Sequence, residues 1–105
     1  MNHEESNCGI TRALEVIGGK WTLLVVRDLL SGPCRFSSLE SSLAGISPRT
    51  LALRLKELEA EGIVTRDCSS GHPVYALTDR GRELNGILDS MRVWGDAKTP
   101  AAELR

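Results

Sequence analysis

The sequence predicts a single, mostly α-helical domain that carries one small β-hairpin. Apolar residues recur at helical spacing through most of the chain, one segment has helix start and stop signals at Ser47 and Gly62, and two β-prone runs follow it. A chain of 105 residues can bury one hydrophobic core with little to spare. We therefore expect residues 1–105 to form one domain, with flexible ends at 1–7 and 97–105.

The first half of the chain predicts three helices. Apolar residues at helical spacing between positions 10 and 17 predict a short amphipathic helix that ends at the Gly18–Gly19 pair. Residues 21–30 are apolar on nearly all sides, which indicates a helix at the centre of the core and places Trp21 in that core. Ser37 and Glu40 have the spacing of a capping box, so a third short helix is expected to begin there.

The best-defined element is a helix predicted over residues 48–61. Ser47 is a favourable N-cap, Pro48 suits the first helical position, and Gly62 supplies a left-handed stop. The apolar stripe of this helix consists of Leu51, Leu55 and Leu58. On a helical wheel, the face predicted to point away from the core carries Arg49, Thr50, Leu53, Lys56 and Glu57.

The charges of this helix run against the helix dipole, because Arg49 and Arg54 lie in its first half and its three glutamates in its second half. Arginines at the positive end of a helix make a favourable anion site, and nucleic acid is the largest polyanion that a short domain meets. The net charge of −1 gives no argument from bulk charge, so the prediction of DNA binding rests on this local placement. The alternative is a solvated face with scattered charges.

Two β-prone runs, residues 63–68 and 74–78, flank a polar turn and predict a hairpin. Two helices joined by a short glycine-containing turn and followed by a hairpin are typical of a winged helix-turn-helix, here with five or so helices. In that fold the second helix enters the major groove, and the hairpin, called the wing, lies near sugar-phosphate or the minor groove. Arg66 and His72 lie near the predicted wing tip, and the alternative for His72 is a simple turn residue.

The predicted last helix begins at its N-cap, Thr78. The apolar stripe of this helix consists of Leu84, Ile87, Leu88, Met91 and Trp94. Because four elements already serve the core, part of this stripe is expected to face another subunit. The alternative is that the whole stripe packs on its own domain.

Composition and residue spacing argue against several other function classes. Cys8, Cys34 and Cys68 are widely spaced without a CxxC pair, so they indicate neither a disulfide framework nor a metal site, and no cofactor is expected. His3 and His72, without clustered acids, a phosphate loop or a nucleophile motif, argue against an enzyme. The lack of a signal peptide or membrane-spanning run indicates a cytoplasmic protein with no membrane partner. A winged-helix module that binds protein is the alternative that the near-neutral charge permits.

Four stretches form a specific combination, in the order CGITRALEVIGGKWTLLVVRDLLSGPCRF, FSSL, GISPRTLALRLKELEAEGIVTR and VYALTDRGREL. Over about Cys8 to Gly95 they resemble the HxlR-type winged helix-turn-helix transcriptional regulators, relatives of the MarR group. The resemblance implies a homodimer built through the first and last helices. Each subunit would place the helix of residues 46–61 in a major groove of double-stranded operator DNA with inverted symmetry. The ordinary role of the family is repression or activation of a few nearby genes, often for detoxifying or redox enzymes.

The resemblance also assigns site residues, with Arg49 as the first choice for a base or phosphate contact. Leu53 either packs on a thymine methyl group or is a tolerated surface leucine, and Lys20 of the GGKW motif either reaches a phosphate or is a plain surface lysine. The full DNA-binding set is Ser47, Pro48, Arg49, Thr50, Leu53, Arg54, Lys56, Arg66, His72 and Lys20. The predicted dimer interface consists of Ile10, Leu14, Leu84, Ile87, Leu88, Met91 and Trp94.

Cys8 matches a cysteine that several regulators of this type carry before the first helix and use to sense oxidants, quinones or aldehydes. The helix N-terminus and Arg12, one turn away, favour the reactive thiolate. An adduct or an intersubunit disulfide would change the spacing of the two recognition helices, so a thiol-reactive small molecule or an aromatic ligand is the candidate effector. Gly9 follows Cys8 where the family commonly has proline, and the alternative is a small apolar interface residue. Cys34 and Cys68 lack the motif and are expected to be structural.

Overall fold

The computed structural model of the chain describes residues 8–98. In chain order its elements are α1 (Gly9–Ile17), α2 (Lys20–Leu30), β1 (Cys34–Arg35), α3 (Phe36–Ser42), α4 (Pro48–Ala60), β2 (Val64–Asp67), β3 (Val74–Leu77), α5 (Asp79–Arg82) and α6 (Asn85–Lys98). Five helices, one single-turn helix and a three-stranded sheet confirm the predicted winged helix-turn-helix. Residues 1–7, with His3, and residues 99–105 lie outside the described range, and at positions 97–98 helix α6 continues.

Helix α2 lies at the centre of the core, as its apolar sequence predicts. Val25 and Val26 are fully buried, and the helix packs on α3, α4, α6 and β3. The other fully buried large side chains are Leu39, Leu51, Leu55, Leu58 and Ile63. Trp21 is only half-buried and packs against the edge of this cluster, which corrects its predicted place inside the core. No helix within residues 8–98 has both the length and the apolar character needed to cross a bilayer.

Helix α4 has the predicted start and nearly the predicted end. The Ser47 hydroxyl oxygen accepts a hydrogen bond from the Thr50 amide at 3.1 Å, and Pro48 occupies the first turn. The helix ends at Ala60 rather than Glu61, and Gly62 has a φ of +75°, which an L side chain rarely adopts. The Ile63 amide then bonds back to the Leu58 carbonyl at 2.9 Å, so the chain leaves α4 in a fixed direction.

The predicted hairpin is part of a three-stranded antiparallel sheet with the strand order β1-β3-β2. In the hairpin Arg66 pairs with Tyr75, and on the other side of β3 the same tyrosine pairs with Cys34. Strand β1 was not predicted, because two residues show no alternation and their pairing with β3 joins distant parts of the sequence. Cys34 therefore lies in a strand.

Two predicted helix starts are wrong in detail. Helix α3 begins at Phe36 after the N-cap residue Arg35 and has no side-chain capping hydrogen bond, so Ser37 lies two positions too late to form a capping box with Glu40. Thr78 does cap a helix, accepting a hydrogen bond from the Gly81 amide at 3.0 Å. That helix is the single turn α5, and α6 begins separately at Asn85.

Candidate nucleic-acid interface

The outward face of α4 carries exposed charge that the rest of the described chain leaves uncovered. Arg49 and Lys56 are exposed and make no ion pair within residues 8–98. Leu53 lies between them on the same face with 48% of its surface exposed, while the leucine stripe opposite is buried. The helix therefore presents two cations around one apolar side chain, a combination that suits phosphates and a thymine methyl group.

The start of α4 is held by two hydroxyl groups. Besides capping the helix, the Ser47 hydroxyl donates a hydrogen bond to the Thr50 hydroxyl oxygen at 2.9 Å. The proton of the Thr50 hydroxyl is then directed away from Ser47 and can be donated to an acceptor outside the chain. Pro48, with its restricted φ, further limits the freedom of this corner. Arg49 thus projects from a rigid support at the positive end of the helix.

Arg54 differs from the other predicted contacts on α4. Its side chain is 32% exposed, and its guanidinium donates a hydrogen bond to the Glu57 carboxylate one turn later. Both residues line a cavity beside the turn between α1 and α2. The structure therefore places Arg54 at the side of α4, with its charge balanced, rather than on the outward face.

The wing carries Arg66 and His72 on its exposed surface, as predicted. A hydrogen bond with the Tyr75 hydroxyl raises the pKa of the Arg66 guanidinium, so this side chain remains charged. Asp67, which is not among the predicted contacts, lies at the same tip and accepts a hydrogen bond from the Ser69 amide at 2.9 Å. That bond lowers the pKa of its carboxyl group. The wing tip therefore has mixed charge and is less basic than the outward face of α4.

The three cysteines lie in different surroundings. Cys8 is the exposed N-cap residue of α1, and the backbone N–H group of Thr11 lowers the pKa of its thiol most, followed by that of Ile10. Arg12 contributes least of the groups that lower this pKa. Burial raises the pKa of the Cys34 thiol, and Cys68 is exposed beside the wing. Within residues 8–98, no three His, Cys, Asp or Glu side chains are grouped so that they could hold a metal ion.

Helices α1 and α6 expose apolar side chains at most of the predicted interface positions. Ile10 is 71% and Trp94 66% exposed, and three further predicted residues, Leu14, Ile87 and Met91, are also exposed. Leu84 and Leu88 instead pack, half-buried, against the core of their own domain. Sequence analysis missed one exposed apolar residue of α6, Val93, because it lies on the other side of the helix from this stripe.

Comparisons with known proteins agree with this geometry. Residues 16–103 match the family model described as HxlR-like helix-turn-helix. The chain is 41% identical over 97 residues to the HTH-type transcriptional regulator YvaP of Bacillus subtilis (strain 168), covering 90% of each protein. The redox regulator HypR in its reduced form has a TM-score of 0.83 at 35% identity, over 93% of this chain and 100% of that one. Quinone-bound YodB from B. subtilis has a TM-score of 0.75 at 34% identity, over 84% of this chain and 96% of that one. The chain thus belongs to the HxlR-like helix-turn-helix family of transcriptional regulators.

Proposed function

We propose that the protein is a homodimeric, sequence-specific DNA-binding regulator that places α4 in the major groove of an operator with inverted symmetry. The observation that carries this proposal is the outward face of α4, where Arg49 and Lys56 stay exposed and unpaired within the described chain. Its leucine-lined opposite face is fixed in the core, so the orientation of the helix is set before DNA arrives. The wing supplies Arg66 to the neighbouring backbone.

The residues on α4 have separate roles in this proposal. Arg49, next to the capped corner, contacts a guanine edge or a phosphate, and a bidentate guanine contact contributes about 1–3 kcal/mol of discrimination. Lys56 binds a phosphate and adds affinity without sequence preference. Leu53 packs on a thymine methyl group, and the Thr50 hydroxyl donates to a phosphate at the start of the helix.

Operator binding by an Arg49→Ala variant tests this assignment. The probe is a labelled duplex from the region upstream of the protein's own gene, compared with a random duplex by fluorescence anisotropy over a salt series. We expect steep loss of affinity with salt, and a loss of about 1–3 kcal/mol in the variant because one base or phosphate contact is removed. The matched control is Arg80→Ala, which removes an exposed arginine from α5. If the protein bound operator and random DNA equally well, and Arg49→Ala changed neither affinity, the proposal of sequence-specific DNA binding would be refuted.

The exposed apolar faces of α1 and α6 support the homodimer. Five large apolar side chains on these two helices are exposed at the positions predicted for the interface. The radius of gyration is 15.4 Å, whereas a compact domain of about 100 residues has about 13 Å. An extended molecule with uncovered apolar helices gains stability when a second copy covers them.

A thiol switch at Cys8 is the second part of the proposal. The lowered pKa of Cys8 increases its thiolate fraction, and it precedes a helix whose apolar face is assigned to the dimer interface. The named relatives include a redox regulator and a quinone-bound regulator. The thiolate would add to a quinone carbon, and uptake of one proton would leave a hydroquinone thioether. Such an adduct at the interface would alter the distance between the two α4 helices.

Cys8→Ser separates the switch from DNA binding. We expect the variant to bind the operator as the wild type does, because serine is a favourable N-cap residue and similar in size to cysteine. The variant should no longer release the operator when a quinone is added, since a neutral serine hydroxyl does not add to a quinone as a thiolate does. Cys68→Ser, which removes another exposed thiol, is the matched control. A response that survives in Cys8→Ser would exclude Cys8 as the sensor.

A further inference from the structure

Arg54 and Glu57 form an ion pair on one flank of α4, next to the outward face described above. The Arg54 guanidinium donates a hydrogen bond to the Glu57 carboxylate at 2.5 Å, three residues further along the helix. Neither side chain is enclosed, since Arg54 is 32% and Glu57 53% exposed. Solvent-exposed ion pairs are weak, so a neighbouring anion can compete with Glu57 for the arginine.

The flank of a helix that lies in the major groove faces the DNA backbone. The groove is about 12 Å wide, and a helix with its side chains is about 10–12 Å across. Such a helix presents one face to the base edges and its two flanks to the phosphates of the groove walls. Arg54 directly follows Leu53 in the sequence and lies about 100° further around the helix. When Leu53 faces the bases, the Arg54 guanidinium therefore lies towards a groove wall.

The charges around this flank cancel. Two cations, Lys20 and Arg54, and two carboxylates, Glu15 and Glu57, line the cavity beside the turn between α1 and α2. Lys20 is exposed, and its Nζ atom lies 4.9 Å from the centre of the Trp21 ring. The outward face, by contrast, carries two cations that make no ion pair within residues 8–98. The flank therefore adds no net charge to the attraction between α4 and DNA.

We propose that Glu57 is a specificity-determining residue that withholds the Arg54 guanidinium from the phosphates of the DNA backbone. The inference rests on the DNA-binding function proposed above. A contact between Arg54 and a phosphate would strengthen binding without reading a base. Glu57 occupies the arginine instead, so that discrimination between sequences is left to the outward face of α4.

A freed arginine would favour random DNA over the operator. In the operator complex, base contacts fix the position of α4, so Arg54 meets only the phosphate that this position offers. On random DNA no base contact fixes the helix, and the protein can shift until the guanidinium makes its best phosphate contact. Because every stretch of genomic DNA competes with the operator, a residue that restrains such contacts protects the preference for the operator.

Binding of operator and random duplexes by Glu57→Gln tests this role. The amide keeps the size of the side chain but no longer neutralises the arginine. We expect random DNA to bind about two- to fivefold more tightly for each subunit in contact, because exposed ion pairs contribute in that range. The salt slope on random DNA should steepen by about 0.9 for each new phosphate contact. The operator should gain less, so that the preference for the operator falls.

Two double variants with the same net charge identify the group that makes the new contact. Adding Arg54→Gln to Glu57→Gln should abolish the gain in affinity and the steeper salt slope. Adding Arg80→Gln to Glu57→Gln should leave both in place, because Arg80 is an exposed arginine of α5. Glu83→Gln, which removes an exposed carboxylate next to α5, shows the effect of net charge alone. Thermal unfolding confirms that each variant is folded.

Three results would overturn the proposal. Glu57→Gln could strengthen random DNA no more than Glu83→Gln does, or the two double variants could bind alike. The third result is an equal gain on operator and random DNA, which would show that Arg54 can reach a phosphate but that Glu57 does not set specificity. A wild type that binds neither duplex would refute the DNA-binding function itself, and this inference with it.

Discussion

Cys8 and Cys34 carry the same thiol in opposite environments. The backbone N–H groups at the start of α1 lower the pKa of Cys8, so part of its population is thiolate at a pH where an ordinary thiol is protonated. Burial, with a smaller contribution from the Asp28 carboxylate, raises the pKa of Cys34 and so disfavours its thiolate. At any given pH, Cys8 therefore has a larger fraction of the nucleophilic thiolate than Cys34 has.

Alkylation rates measure this difference directly. As the pH rises, the iodoacetamide reaction of Cys8 should increase first and reach its plateau first, because the deprotonated form appears at lower pH. The rate at Cys34 should increase only at higher pH and stay lower throughout, since the thiol is also half-buried. Mass spectrometry of the two peptides after timed quenching gives both rates from one sample. Coincident profiles, or faster modification of Cys34, would contradict the assigned environments.

Single residues were predictable where the signal was local. Ser47, Pro48 and Gly62 fixed α4 to within one residue, because capping depends on neighbours in sequence. The helical position of Arg54 could not show that its guanidinium bonds to Glu57. Cys8 was placed correctly at a helix start, but Arg12 contributes less than the nearby amides. The groups that lower the pKa of Cys8 most are backbone N–H groups, and these are not revealed by residue type.

The junction between α4 and α5 depends on a glycine within a helix. A Cβ atom on Gly81 would lie 2.3 Å from the Ile63 carbonyl oxygen, a backbone atom that cannot move without disturbing the start of the wing. By contrast, a Cβ atom on Gly86 in α6 would meet nothing within 4 Å. The two glycines therefore provide a matched pair.

Gly81→Ala is expected to destabilise the protein by about 1–3 kcal/mol, because the new methyl group overlaps packed backbone. Gly86→Ala should be neutral or stabilising by up to about 1 kcal/mol, since alanine has the higher helix propensity. Urea unfolding followed by circular dichroism, at protein concentrations where both variants have the same oligomeric state, gives the two values. Equal stability of the variants would show that the close approach at Gly81 is relieved without cost.

Elements joined by long-range contacts were less predictable than helices with their own caps. Strand β1 exists only because Cys34 and Arg35 pair with β3, about forty residues later in the chain. The break between α5 and α6 carries no proline and follows Gly81, whose tight packing against Ile63 is a tertiary contact. The hairpin itself was predictable, because a polar turn between two β-prone runs is a local signal.

The proposed homodimer would cover the exposed apolar helices of the whole molecule, and α6 offers a way to test which face is used. Met91 is 50% exposed on the stripe assigned to the interface, and Val93 is 54% exposed. Two helical positions correspond to about 200° of rotation. Val93 therefore points away from the assigned face while matching Met91 in exposure.

Met91→Glu should yield a folded monomer at concentrations where the wild type and Val93→Glu are dimers. A carboxylate buried in the interface without a partner costs about 3 kcal/mol or more, whereas the same charge at Val93 stays in water. Sedimentation velocity gives the oligomeric state, and anisotropy should show that operator affinity falls with dimer loss in Met91→Glu alone. Equal dimerisation of the two variants would move the interface to another surface.

A chain of short contacts connects the end of α4 to α5, which directly precedes α6. The Ile63 carbonyl, directly after α4, accepts hydrogen bonds from the Thr78 amide at 2.9 Å and the Thr78 hydroxyl at 3.2 Å, and that same hydroxyl caps α5. Gly81 packs so closely against Ile63 that the junction between α4 and α5 has no room to bend. We therefore expect any reorientation of α6 to turn α4 with it as one rigid body, with the junction itself unchanged.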